Sequence, residues 1–307
     1  MLFLFAAVYL GWALGANDTA NVFGTGVANE LISYRAAVIL TAGFVILGAV
    51  IEGPKMMDTV GQFTPLTLYT AFIAVLSAAI IVTVMTSIKL PVSTSQAILG
   101  AIAGVALSIG GWNALPREKL IKIVLCWLFT PLGAMAISVA LFIILAPLAN
   151  RIRSFITFAL VMKLGVIVVG CYGAYTLGAN NVANVTGAFV GAGLLGPSGG
   201  AIFGGAAIAL GALTYSKGVM MSVGKKVFPL GSFSALIAVL ASALTLHFFT
   251  QLRVPVSNSQ AIVGSIVGIG LLRGTKAVNR EMLFRIFAGW VATPLLAAGL
   301  SFILLAL

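Results

Sequence analysis

Six side chains able to hold a cation fall in two matching stretches. Asn17, Asp18 and Asn21 lie in GANDTANVFG at 15–24, and Asn180, Asn181 and Asn184 lie in GANNVANVTG at 178–187, 163 residues later. Aligned over 15–27 and 178–190, 8 of 13 positions are identical. Both stretches follow apolar runs, where polar side chains are costly and by default mark a functional site. Asn17 and Asn21 are four apart, as are Asn180 and Asn184, which puts each pair on one helical face. Their amide oxygens, the Asp18 carboxylate and backbone carbonyls freed near Gly15 and Gly24 suit a small hard cation. The competing role is interhelical glue, which explains one asparagine well and eight polar positions badly.

A second doubled motif suits an anion. Residues 90–104 (LPVSTSQAILGAIAG) match 254–268 (VPVSNSQAIVGSIVG) at 10 of 15 positions. Pro91 and Pro255 interrupt a helix ahead of each motif. Ser93 with Gln96, and Ser257 with Gln260, have capping-box spacing, so each motif reads as a helix start within the membrane. A helix start offers free N–H groups and a positive dipole end. Ser93, Thr94, Ser95, Gln96, Ser257, Asn258, Ser259 and Gln260 add polar groups there, and two such starts would grip one tetrahedral oxyanion from both sides.

These motifs need a scaffold, and composition names its class. The 307 residues are 61% hydrophobic and 7% charged, with mean hydropathy +1.17, which marks an integral membrane protein. Ten apolar segments stand out, at roughly 1–14, 36–51, 66–88, 96–112, 120–148, 159–177, 199–216, 232–252, 260–272 and 282–307. The expectation is an all-α polytopic membrane protein with about 10–12 transmembrane segments, the long 120–148 run bending at Pro131. WLFTPLGA at 127–134 repeats as WVATPLLA at 290–297, and Thr59-Val60-Gly61 falls opposite Ser222-Val223-Gly224. The chain therefore reads as two repeats, 1–150 and 151–307. Five spans per half, an odd number, makes the second repeat inverted, with interrupted helices meeting at the repeat interface.

The net charge of +11 is scattered through short loops and gives no nucleic-acid signal. Alternate loops carry 12 and five of the 17 Lys and Arg residues, which predicts an outside N-terminus. The opening apolar run imitates a signal peptide, but it lacks a basic flank and its copy at 168–180 is internal. Cys126 and Cys171 read as small buried hydrophobes. His247, the one histidine, lies in another run and reads as structural. Lys89 and Arg253, two residues before each proline, read as snorkelling. No enzyme constellation is present, and no filter repeat or charged ring of a channel is evident.

The doubled GAND-x-AN and PVS-x-S motifs resemble the inorganic phosphate transporter (PiT) family across nearly the whole chain, and Gly53–Thr59 (GPKMMDT) resembles the family's G-x-K-x-x-[ED]-T stretch. The resemblance implies cation-coupled symport of inorganic phosphate, inverted repeats and homodimers in the cell membrane, with no cofactor beyond the coupling ion. It assigns the polar positions of 17–21 and 180–184 to ion coupling and those of 93–96 and 257–260 to phosphate. Many members carry His where Gln96 and Gln260 stand, and often Asp where Asn181 stands. The loss of those titratable groups favours Na⁺ over H⁺ as the coupling ion. Sulfate, with the same shape, is the alternative cargo.

Overall fold

The computed structural model describes residues 2–88, 92–222, 230–273 and 280–307. Pro91, Lys89, Val223, Gly224, Lys225, Lys226 and Lys276 lie outside these residues. All regular secondary structure among the described residues is helical. The first half runs α1 (Leu2–Ala28), α2 (Tyr34–Glu52), α3 (Pro54–Gly61), α4 (Leu68–Ser87), α5 (Thr94–Gly110) and α6 (Arg117–Asn150). The second half repeats the order as α7 (Phe155–Gly191), α8 (Pro197–Tyr215), α9 (Lys217–Ser222), α10 (Ser232–Gln251), α11 (Asn258–Arg273) and α12 (Arg280–Ala306). Among the described residues, eight helices are long and apolar enough to cross a membrane. They are α2, α4, α5 with its following 3-10 turn, α6, α7, α8, α10 and α12. The remaining long helices, α1 and α11, carry the polar motifs.

The helix starts follow local rules. Ser33 caps α2 by accepting from the Ala36 N–H, and Ser154 caps α7 through the Thr157 N–H. Thr67 and Thr70 close a reciprocal capping box on α4. Helix α10 ends in a Schellman turn, with Arg253 N–H bonded to Thr250 O and Val254 N–H to Phe249 O. Arg253 stands at the left-handed position of that turn (φ 58°).

Packing obeys the duplication. Helix α5 packs along α12, and α6 along α11; α1 packs along α8 and α4, and α7 along α2 and α10. Each pairing turns into another when the halves are exchanged. The same exchange relates the closest backbone approaches. A methyl on Gly15 would overlap Ile208 O and one on Gly178 would overlap Val45 O, while Gly48 abuts Tyr175 O and Gly211 abuts Trp12 O. Small residues at such crossings allow backbone contact where no hydrophobic effect drives helices together. Gly48→Ala is expected to cost about 1–3 kcal/mol through overpacking, measured as a lower melting temperature in detergent.

One expectation about interruption needs correction. The amide stretches are not kinks: α1 and α7 run unbroken through Gly15–Gly24 and 178–187, so the carbonyls near Gly15 and Gly24 remain helical. The glycines there serve packing, and tertiary contact overrides their poor helix propensity. Helix α6 is one helix from Arg117 to Asn150 with Pro131 inside it. The real interruptions are the α4–α5 and α10–α11 connections, where each pair packs as a hairpin.

Candidate anion and cation site

The two hairpin tips meet each other beside the amide stretches. Ser95 Oγ donates to Val256 O at 2.9 Å, and Ser259 Oγ donates to Val92 O at 2.9 Å. This reciprocal pair stitches the start of α5 to the start of α11. Ser93 and Ser257 cap those starts, each accepting the N–H of the residue three on, Gln96 and Gln260, at 3.2 Å. The expected reciprocal half of each capping box is absent from the bonds of the described residues. Gln96 Oε1 and Gln260 Oε1 are instead buried without a partner.

Each tip is tied to an amide stretch of a long helix. Asn184 Nδ2 donates to Ser95 Oγ at 2.9 Å and to Asn181 Oδ1 at 3.0 Å, joining α7 to the opposite half's tip. Asn258 Nδ2 donates to the Asp18 backbone oxygen at 3.4 Å, joining the α11 start to α1. Asn180 braces its own half: Nδ2 donates to Thr250 Oγ1 at 3.0 Å and Val254 O at 3.2 Å, while Oδ1 accepts the Val256 N–H at 3.0 Å. Asn17 does the equivalent work in the first half, donating to Thr86 Oγ1 at 2.9 Å. For Asn17 and Asn180 the glue role is therefore visible in the bonds they make.

All fourteen candidate residues are at most 5% exposed, so the crossing is dry. What stays unmatched there is informative, because buried polar atoms without partners cost about 1–3 kcal/mol each. Asn21 Oδ1 and Asn184 Oδ1, equivalent positions of the two repeats, are unpaired acceptors; Asn181 Nδ2 and Thr94 Oγ1 are unpaired as well. Asp18 brings the single carboxyl group of the fourteen, its Oδ1 accepting from Asn21 Nδ2 at 3.4 Å. Among the described residues, none of the recorded ion pairs involves Asp18.

Sequence reasoning missed two sets of residues. Thr86 and Thr250, the partners of Asn17 and Asn180, stand at the same distance ahead of the two prolines. That repeat was a usable signal. The other set, apart from His247, had none. Glu52 at the end of α2 accepts from Tyr175 Oη and Gln251 Nε2, both at 2.7 Å, with Lys55 Nζ at 3.8 Å and His247 Nε2 at 3.6 Å. His247 Nδ1 lies 2.8 Å from Tyr172 Oη. The cluster ties α2 and α7 to the end of α10, and Thr59 Oγ1 donates to Arg253 O at 2.6 Å beside it. Arg253 itself is exposed at the hairpin tip. Glu52→Ala is expected to lower stability by about 1 kcal/mol, at the low end for unmatched partners because Gln251 reaches solvent. Glu52→Gln should lose less; thermal unfolding of both variants measures the difference.

Fold and crossing together define an all-helical, multi-pass membrane protein of two inverted repeats, the architecture of secondary transporters. The chain belongs to the phosphate transporter family, which its sequence matches over residues 14–163 and again over 149–301. A protein of Methanocaldococcus jannaschii, named as a candidate phosphate permease, is 30% identical over 301 residues, spanning 98% of this chain and 95% of its own. A sulfate permease of Bacillus subtilis is 26% identical over 307 residues, spanning 98% and 86%. A solved structure, the sodium-dependent phosphate transporter, superposes on 100% of both chains with a TM-score of 0.85 at 22% identity, which establishes a shared fold.

Proposed function

We infer that the chain is a secondary active carrier that symports inorganic phosphate with Na⁺ by alternating access. The carrying observation is the crossing itself: two capped helix starts, stitched tip to tip, buried against amide stretches from both halves. In this reading Ser93, Thr94, Ser257 and Asn258 present donors to the anion, with free N–H groups of the first turns of α5 and α11 behind them. Ser95 and Ser259 hold the two starts in register. Asp18, Asn21, Asn181 and Asn184 contact the coupling ions, with Asn17 and Asn180 as braces. Gln96 and Gln260, in the first turns of the same two helices, complete the polar set of the two starts.

Charge arithmetic supports a cation partner. Moving a bare oxyanion into a dry site costs far more than neutral donors recover. Asp18 adds a further negative charge, so the counter-charge must travel with the cargo, and Na⁺ is suited to amide and carboxylate oxygens. The cell membrane, an outward N-terminus and a homodimer complete the proposal. The test is uptake of labelled phosphate into liposomes with Na⁺, K⁺ or a pH gradient as sole driving force. Uptake driven by Na⁺ alone supports the reading; uptake driven only by the pH gradient overturns sodium coupling. The likeness to a sulfate permease makes sulfate the second reading. Sulfate uptake without phosphate uptake in the same liposomes would decide for it.

A further inference from the structure

Outside the crossing, charged and hydrogen-bonding side chains gather where α2 ends and α10 ends. Glu52 is fixed there by Tyr175 Oη and Gln251 Nε2, both at 2.7 Å, with Lys55 Nζ at 3.8 Å and His247 Nε2 at 3.6 Å. Gln251 is the last residue of α10, and the second hairpin tip follows at once. Two further anchors hold that stretch: Thr59 Oγ1 donates to Arg253 O, and Asn180 binds Val254 O and the Val256 N–H. Lys55, Gln251 and Arg253 are exposed, and the His247 side chain is 32% exposed, so a proton from solvent reaches the ring.

The first half has no such cluster. Glu52, Lys55, Tyr172 and Tyr175 correspond by the 163-residue offset to Tyr215, Gly218, Tyr9 and Trp12. His247 and Gln251, counted back from the prolines, correspond to Thr83 and Ser87. No carboxylate, imidazole or amine side chain stands at these equivalent positions. In an inverted-repeat carrier, equivalent places face opposite sides of the membrane, and each governs its own route of access. One route is held by charge and the other is not.

We propose that Glu52 and His247 form a pH-sensitive latch on the second hairpin tip, holding it shut more firmly as the solvent on that side becomes acidic. The proposal rests on the carrier reading, because a latch needs a tip that opens. Tyr172 Oη, 2.8 Å from His247 Nδ1, serves both states of the ring: a phenol donates to a neutral imidazole nitrogen and accepts from a charged one. Protonation adds a positive charge facing the Glu52 carboxylate. The latched arrangement therefore gains support as pH falls through the imidazole range and loses it as pH rises. Lysine and phenol groups ordinarily titrate near about pH 10, so the change of charge within this cluster is that of the one imidazole. Helix α6 brings Glu118 and Lys122, opposite in sign, beside Phe248 and Phe249. Helix α7 carries Lys163 nine residues before Tyr172, while α1 and α11 carry Asp18 at the crossing and Arg273 at the end of α11 remote from the tip.

The test reads opening of the tip and needs no transport. In a Cys126→Ala, Cys171→Ala background, Val256→Cys places a lone thiol on the tip. Val256 is fully buried, so a charged methanethiosulfonate reaches that thiol only when the tip opens. The protein is held in nanodiscs, which expose both faces to one pH. The labelling rate of His247→Gln is divided by that of the chain with His247 at each pH, which cancels ionisation of the thiol itself. This ratio is expected to rise about threefold from about pH 8 to about pH 6, the effect of one partly exposed ion pair. In a Glu52→Gln background, which keeps the shape of the side chain and removes its charge, the ratio should stay flat. A ratio that does not change with pH, or a change that survives Glu52→Gln, overturns the latch and leaves the carrier reading in place. Labelling absent from every variant at both pH values overturns both, because no tip opens. Val254→Cys, on the same tip and also buried, replaces Val256→Cys if that variant does not fold.

Discussion

In Asp18→Asn, sodium is expected to lose its effect on both stability and uptake. The carboxylate is 2% exposed, and its one recorded side-chain partner is a neutral amide at 3.4 Å. A charge so placed is costly unless it is paired, and an asparagine of the same shape removes that cost while leaving the helix intact. The wild-type protein should therefore melt higher in NaCl than in KCl of equal concentration. At sodium near a hundred times its dissociation constant, linkage gives about 2.7 kcal/mol of stabilisation. The variant should show little of that difference, and its apparent melting temperature in KCl should equal or exceed that of the wild type. Uptake should fall by about 100-fold, the loss that the same free energy implies. A full sodium-induced melting shift in Asp18→Asn would place the cation elsewhere.

The parts of this protein legible in the sequence are those that occur twice. The doubled GAN-x-x-AN and PVS-x-S stretches marked the helices that cross and the hairpin tips that meet, because the same local chemistry recurs at a fixed offset. The continuity of α1 and α7 was not legible. Glycine and asparagine are weak helix formers in isolation, and the contacts that keep them helical here, such as Gly15 on Ile208 and Gly178 on Val45, come from the opposite half. The capping boxes failed for a related reason. Spacing fixed Ser93 and Ser257 as caps, but the glutamine Oε1 atoms stay buried without a partner, an outcome of tertiary packing that no local pattern encodes. The Glu52–His247 cluster was least legible. Glu52 and His247 are 195 positions apart, and the residue equivalent to Glu52 in the second half is Tyr215, its ring tilted against that of Trp12 with centroids 5.2 Å apart. A feature that breaks the repeat leaves no echo in the sequence.

Ser95→Ala combined with Ser259→Ala is expected to damage transport more than Ser93→Ala combined with Ser257→Ala, although both remove two serines from the same turns. Loss of the caps removes one bond to the α5 start and one to the α11 start, worth about 1 kcal/mol each, from helices that packing already holds. Ser95 and Ser259 act between the halves. Their removal leaves Val256 O, Val92 O and Asn184 Nδ2 without those bonds in a dry crossing. Each unmatched group costs about 1–3 kcal/mol, and the sum is not additive because the groups share one network. A loss near 2.7 kcal/mol corresponds to about 100-fold in uptake. The cap variant should instead raise the apparent KM for phosphate, with a smaller change in maximal rate, because its hydroxyls are donors to the cargo. Measuring concentration dependence of uptake in both double variants, alongside their melting temperatures, separates the two roles. If the cap variant proves the more damaged in maximal rate, the tip-to-tip stitch is dispensable, and the two helix starts would have to be held in register by packing of α5 on α12 and α11 on α6 alone.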